Sequence, residues 1–213
     1  MGGTKVYLVR HGQTDWNVGS VFRGRADRPL NDVGHMEATA VAEALAVERI
    51  DAVYASPMKR AVETAGPTAR ARDLRVVAVD GLIDVDFGRW QGLSHDRVMK
   101  EDPKRFRLWS EQPHLVTFPD GESLAMVRRR AMKALRSLAI RHEGRTIMVV
   151  AHRVVNKVLC AALLGLGDSH FWRIKQDPAS IDLFEIDGGF VTVHRLNDTA
   201  HLRDLPGRIE SDF

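Results

Sequence analysis

Apolar and polar positions come in alternating blocks along the chain. Residues 5–10, KVYLVR, form an apolar run that stops at Arg10, His11 and Gly12, which predicts a strand. Residues 34–47, GHMEATAVAEALAV, carry Met36, Ala40 and Leu45 with their neighbours at helical spacing. A second strand is predicted over 51–56, DAVYAS, followed by a helix that starts after Pro57 and runs through MKRAVETAGPTARAR. LRVVAVD, 74–80, reads as a third strand. ESLAMVRRRAMKALRSLAIRH, 122–142, is a long amphipathic helix with Gly144 as its stop, Asp120 as its N-cap and Glu122 in its first turn. A very apolar strand over 145–152, RTIMVVAH, leads into a helix over 154–166. Residues 180–187 and 190–197, joined through Gly188 and Gly189, read as a hairpin. Strands that alternate with helices imply an α/β domain with a mostly parallel sheet.

Three of these strands end alike, in YLVRHG, VYASPMKR and MVVAHR. In open parallel sheets ligands bind beyond the carboxyl ends of strands. If these strands are neighbours, Arg10, His11, Arg60 and His152 converge on one cleft. Arginine forks match phosphate oxygens, and an imidazole can attack phosphorus to form a covalent phosphohistidine. The leaving alkoxide needs a proton, for which Asp84 and Asp86 in GLIDVDFGRWQG are the local acids. The cationic side chains supply the countercharge, so the chemistry calls for no metal and no cofactor. The histidines show no zinc-type spacing, and no P-loop motif occurs.

Composition narrows the picture. A chain of 213 residues, 44% hydrophobic, suits one domain with a sizeable core. The formal net charge of +3 argues against a general nucleic-acid or membrane-surface binder. Cys160 is the only cysteine, which excludes an internal disulfide and fits a reducing compartment. No stretch approaches the length of a membrane span and no signal-peptide core is seen, so a cytoplasmic location is expected. The run Arg128, Arg129 and Arg130 reads as a solvated helix face, and nothing interleaves it with stacking aromatics. Phe106, Trp109, Phe171 and Trp172 read as packing residues rather than as the lining of a cleft mouth.

LVRHGQTDWN resembles the signature of the histidine phosphatase superfamily, the branch that includes cofactor-dependent phosphoglycerate mutase and small-molecule phosphatases. FRGRADRPLNDVG, ASPMKRAVETA, LIDVDFGRWQG and VVAHRVVNKVLCAALLG are similar to four further family segments, in the same order. The resemblance implies a three-layer sandwich like that of phosphoglycerate mutase, its mostly parallel central sheet flanked by helices. Residues 1–213 would form one such domain, with residues about 90–125 as a cap or lid over the site. It implies that His11 is the nucleophile, with the Gly12 carbonyl fixing its tautomer, and that Arg10, Arg60 and His152 hold the phosphoryl group. Asn17, Arg23 and Gly24 match segments that approach the substrate.

Two positions depart from the family pattern. Asp84 stands where the family usually has a glutamate as proton donor, one methylene longer, and Asp86 could assist it or stand in for it. Arg153 stands where a small residue commonly follows the second histidine, and it could meet a substrate carboxylate. The enclosing insertion of the mutases is absent, which favours hydrolysis over return of the phosphoryl group. RLWSEQPHLVTFPDGESL, FWRIKQDPASIDLF and RLNDTAHL resemble segments of metal-independent phosphoserine phosphatases and α-ribazole phosphatases. The expected partner is a small phosphorylated metabolite, carboxylated like phosphoserine or 3-phosphoglycerate. A homodimer remains open.

Overall fold

The structure, a computed structural model, describes residues 2–18 and 20–207. Its centre is a six-stranded sheet of β1 (Thr4–Arg10), β2 (Ala52–Ala55), β3 (Val76–Ala78), β4 (Thr146–Ala151), β5 (Ile181–Asp187) and β6 (Phe190–Asp198). The spatial order is β3-β2-β4-β1-β5-β6. The first four strands in that order run parallel, and β5 joins antiparallel to β1 and is followed by the hairpin partner β6. The sheet is therefore mixed but mostly parallel, as expected, and β2, β4 and β1 are neighbours.

Helices α1 (Asp32–Ala44) and α2 (Lys59–Arg70) cover one face, and α5 (Leu124–Arg141) and α6 (Arg153–Leu163) cover the other. The strands' two-residue side-chain period divides the core accordingly. Tyr7, Val9, Val53, Ala55, Met148 and Val150 pack against Val41, Ala61, Ala65 and Ala69. Val6, Leu8, Ile147 and Val149 face Val127, Leu135, Val155 and Leu159. The central strands are covered on both sides, which explains their nearly unbroken apolar runs. Among the described residues no helix is long and apolar enough to cross a membrane.

Several boundaries differ from the sequence reading. The third strand is confined to Val76–Ala78, a sheet edge with a single neighbour. Asp120 does not cap α5. The chain turns tightly at Asp120 (φ +57°) and Gly121, Ser123 Oγ accepts from Met126 N at 3.3 Å as the real cap, and Glu122 precedes the helix. Between β3 and α5 lie two helices that the periodicity did not announce, α3 (His95–Glu101) and α4 (Pro103–Glu111). Ser94 and Asp102 cap them through their side-chain oxygens. The segment before them is stitched to residues 20–22 by backbone bonds from Phe22 N to Leu93 O, Gly92 N to Phe22 O and His95 N to Ser20 O.

Leu135 is fully buried where α5 meets the sheet. Leu135→Ala is expected to lower the unfolding free energy by about 2–5 kcal/mol, measured by urea titration.

Candidate active site

Because β1, β4 and β2 lie side by side, their carboxyl ends deliver chemistry to one point. Arg10 closes β1 and His11 follows it. His152 follows β4 and is the N-cap position of α6. Arg60 comes not from a strand end but from the first turn of α2, after β2 and the Ser56-Pro57 bend. Asp84 sits in an irregular stretch after β3 that contains only short 3-10 turns.

His11 is oriented by its own loop. Its Nδ1 lies 2.7 Å from the Gly12 carbonyl, which can only accept, so Nδ1 carries the proton and Nε2 the lone pair. The loop is pinned from both helices on that side. Gly12 N donates to Thr64 Oγ1 of α2 at 3.0 Å, and Gln13 N donates to the buried Glu37 carboxylate of α1 at 2.7 Å.

Arg60 is the hub. Its Nε–H is shared between His11 Nε2 at 3.3 Å and His152 Nδ1 at 3.2 Å. Nη2 donates to Asp84 Oδ2 at 2.9 Å and to the Gly24 carbonyl at 2.8 Å, and Nη1 donates to the Ala26 carbonyl at 2.9 Å. Gly24 is in the left-handed region (φ +48°), and a Cβ there would meet Val85 O at 2.8 Å. Only glycine turns that carbonyl toward Arg60 without strain.

His152 is fully buried. Its Nδ1 accepts from Arg60, so its Nε2–H donates to Ser56 Oγ at 2.7 Å, a neutral tautomer. Burial, followed by the nearby Arg60 and His11, pushes its pKa well below the ordinary histidine value. The ring centroids of His11 and His152 are 5.1 Å apart. Asp84 is likewise buried, and desolvation raises its pKa against the opposing pull of Arg60. A carboxyl held toward its protonated form suits a proton donor. Asp86 does not enter the cluster. Its carboxylate accepts from Gly88 N at 2.8 Å and pairs with Arg25 at 3.2 Å.

Arg10 is wholly buried and donates through Nη1 to the Gln176 carbonyl at 2.7 Å. Beneath it Gln176 Nε2 meets both oxygens of Asp182 at 2.9 Å, and burial pushes that carboxyl up to about 6.

Arg10, His11, Arg23, Gly24, Arg60, Asp84 and Arg153 all line one cavity. Asn17 does not. It is buried beside the loop that follows His11, where its Oδ1 accepts from Thr14 N and Thr14 Oγ1, both at 2.8 Å. Arg23 is steadied by Nε donation to the Trp16 carbonyl at 2.7 Å. The aromatic residues do more than pack. Trp109, Phe171 and Trp172 form a wall of the cavity as well as a mutual ring cluster, whereas Phe106 packs on Phe22 and His95. Arg153 lies over the Trp172 ring at 5.6 Å, and Lys157, one turn on, lies 4.7 Å from the centroids of Phe171 and Trp172.

Sequence reasoning missed His95, the first residue of α3, whose ring also lines the cavity. Burial, then Arg23 and Arg153, push its pKa down. Ser94 as a helix cap was the available signal for where that side chain falls. The reading of Arg128, Arg129 and Arg130 as one solvated run is corrected. Arg129 is exposed and Arg128 lies 3.5 Å from Asp168, but Arg130 turns inward to the backbone around Asp84. It follows Val127 by three positions and adjoins Ala131, so it flanks the buried stripe of α5.

A cationic cavity at parallel strand ends, lined by His11 and a buried carboxyl and backed by His152 through Arg60, defines a phosphoester-processing site. Residues 6–199 match the model of the histidine phosphatase superfamily (branch 1), and the chain belongs to that family. That membership, together with its phosphatase relatives, makes it a phosphoric monoester hydrolase. Phosphoserine phosphatase 1 of Hydrogenobacter thermophilus is 37% identical over 201 residues, spanning 94% of this chain and 95% of the relative. The adenosylcobalamin/alpha-ribazole phosphatase of Escherichia coli is 27% identical, spanning 92% and 97%. The solved structure of Bacillus stearothermophilus YhfR superposes with a TM-score of 0.89 at 34% identity, covering 93% of this chain and 99% of that one.

The depressed pKa of His152 gives acidification a sign. The unfolded chain takes up a proton near the ordinary value of about 6.5, while the native chain resists until well below it. The stability that His152 contributes is therefore present above that value and is lost as pH falls below it. In urea titrations, the stability difference between the wild type and His152→Gln is expected to shrink from pH 7.5 to pH 5. A constant difference would mean that His152 charges in the folded state as it does when unfolded.

Proposed function

We propose that the chain hydrolyses phosphomonoesters of small carboxylated metabolites, such as phosphoserine or 3-phosphoglycerate, through a phosphohistidine at His11. The observation that carries this reading is the His11 tautomer. Nδ1–H is committed to Gly12 O, so the Nε2 lone pair faces the cavity beside Arg60. In the first step Nε2 attacks phosphorus, the P–O ester bond breaks, and the leaving alkoxide takes the Asp84 proton. In the second step water loses a proton to the Asp84 carboxylate and attacks the phosphohistidine. The N–P bond breaks and inorganic phosphate is released.

Arg10, Arg60 and neutral His152 hold the phosphoryl oxygens, and Asn17 supports the site from behind by bracing the His11 loop through Thr14. Asp84, not Asp86, is the donor, because Asp86 is spent on Arg25 and Gly88. The guanidiniums supply the charge that a metal would otherwise bring. Among the described residues no group of three or more His, Cys, Asp and Glu side chains is disposed to hold an ion. We read residues about 90–125 as a cap on the single domain, since His95 and Trp109 carry α3 and α4 to the cavity wall. The buried free thiol of Cys160 fits a reducing cytoplasm.

The substrate class rests on Arg23 and Arg153 at the rim, with Gly24 between the rim and Arg60. A second anionic group on the substrate would meet them. The similarity to a phosphoserine phosphatase supports this. So does the superposition, with a TM-score of 0.84 at 26% identity, on a phosphoserine phosphatase variant from Entamoeba histolytica in complex with phosphoserine. The wall of Trp109, Phe171 and Trp172 favours a second reading, a substrate with an aromatic base such as α-ribazole phosphate.

Brief incubation with a labelled phosphomonoester in excess chelator should leave acid-labile label on His11, and His11→Ala should abolish both label and turnover. Near-normal turnover by that variant would overturn the mechanism. For the substrate class, one charge-assisted hydrogen bond of roughly 1.5–3 kcal/mol corresponds to about 10- to 150-fold in kcat/KM. Phosphoserine or 3-phosphoglycerate should exceed phosphoethanol by a factor in that range, and Arg153→Ala should narrow the gap. Equal efficiencies would leave a generalist, and a marked preference for α-ribazole phosphate would select the second reading.

A further inference from the structure

Asp84 stands on a stretch of chain with no sheet or long helix to hold it, yet its carboxyl is placed between Arg60 and His152. What fixes that backbone is Arg130, from the flank of α5. Its Nη1 donates to the carbonyls of Gly81 at 3.0 Å and Ile83 at 2.5 Å, and its Nη2 donates to the carbonyl of Asp84 itself at 3.0 Å. Glu122 completes the arrangement from the other side. Its carboxylate binds Arg130 in a two-pronged pair, Nε to Oε1 and Nη2 to Oε2, both at 2.8 Å. The same Glu122 accepts from Asp86 N at 3.0 Å, and its own N–H donates to Asp86 O at 2.9 Å. The chain is thus gripped at residues 81, 83 and 84 on one side of the carboxyl and at 86 on the other. Arg25 ties in the loop that bears Gly24, through Nε to Asp84 O at 3.3 Å and through ion pairs to Asp86 and Glu122.

We propose that the Arg130–Glu122 pair is the positioning device for the proton donor. It sets the main chain of residues 81–86 so that the Asp84 carboxyl reaches the leaving oxygen. The proposal rests on the reading of Asp84 as the donor. An aspartate makes the device necessary. With one methylene fewer than glutamate, it has one torsion fewer to absorb an error in its Cα position, so its reach is decided by the backbone. A shift on the order of 1 Å at a reacting group can cost about 10²-fold in rate. The planar guanidinium suits the task, since its fixed fork spans three carbonyls while a second fork binds the carboxylate.

The test compares Arg130→Lys, Arg130→Gln and Glu122→Gln with wild type, alone and combined with Asp84→Asn. The substrates are an alkyl phosphate, whose leaving group needs a proton, and p-nitrophenyl phosphate, whose leaving group does not. Circular dichroism and thermal melts report folding. Loss of donor alignment should lower kcat for the alkyl phosphate by about 10-fold or more, with KM within about twofold, and lower nitrophenyl phosphate turnover by no more than about threefold. Lysine should retain more alkyl phosphatase activity than glutamine. In the Asp84→Asn background the Arg130 substitutions should add less than about twofold, because both act on one proton transfer.

Equal losses on both substrates, or multiplicative losses in the double variants, would overturn the proposal and leave Arg130 a structural residue. If Arg130→Gln does not fold, Glu122→Gln, which keeps the side-chain shape, decides by the same substrate split. Absence of that split in Asp84→Asn itself overturns the donor assignment and this proposal with it. A split in Asp84→Asn without one in the Arg130 and Glu122 variants overturns this proposal alone.

Discussion

The buried guanidinium of Arg60 is the constraint on which the site depends. A cation removed from water is costly unless its N–H groups are satisfied and its charge is answered. Here the answers come from five places in the sequence: His11, Gly24, Ala26, Asp84 and His152. Together they oblige four separate segments to come to the same point. The end of β1, the end of β4, the loop over 23–28 and the irregular stretch after β3 are therefore mutually located by one side chain. A single N–H shared between two imidazole nitrogens also requires both rings to be neutral on the side that faces it. The tautomers then follow from the Gly12 carbonyl and the Ser56 hydroxyl.

Around this hub the scaffold divides into regular and irregular parts held by different forces. The strands that carry Arg10 and His152 are positioned by ladder hydrogen bonds and two apolar layers. The stretch that carries Asp84 has neither, and charged side chains from α5 and its approach take their place. Charge-assisted hydrogen bonds to carbonyls are stronger than neutral ones, and partial burial shields them from competing water. On the opposite side Gln176 and Asp182 perform a comparable service under Arg10, with a carboxyl that burial pushes up to about 6.

The fold is shared with solved structures of phosphoserine, alpha-ribazole and glucosyl-3-phosphoglycerate phosphatases. Substrate choice in such a family is a property of the rim rather than of the sheet. In this chain the rim combines cations, Arg23 and Arg153, with the rings of His95, Trp109 and Trp172. Burial, and then the two arginines, push the pKa of His95 down. That combination can read an anion and still stack a planar group.

Much of this was written in the order of residues. Apolar runs that end in Arg10, His11 and His152, and a helix opening on Arg60, are local patterns. Covered parallel strands produce the unbroken runs, and polar strand ends mark where the cover stops. The sequence by itself therefore determined the α/β class and the strand ends that bring Arg10, His11 and His152 together around Arg60. It did not determine α3 and α4, which are short and owe their form to capping and to the packing of His95 and Phe106 on Phe22 and of Trp109 on Phe118 and Phe171. Nor did it separate Asp84 from Asp86, since alternate positions in an irregular stretch have no fixed face. It put Arg128, Arg129 and Arg130 in one class, although a helix turns 100° per residue and only Arg129 faces solvent, while Arg128 and Arg130 are partly buried. Those decisions belong to the tertiary structure, because each depends on which carbonyls and charges a distant segment leaves within reach.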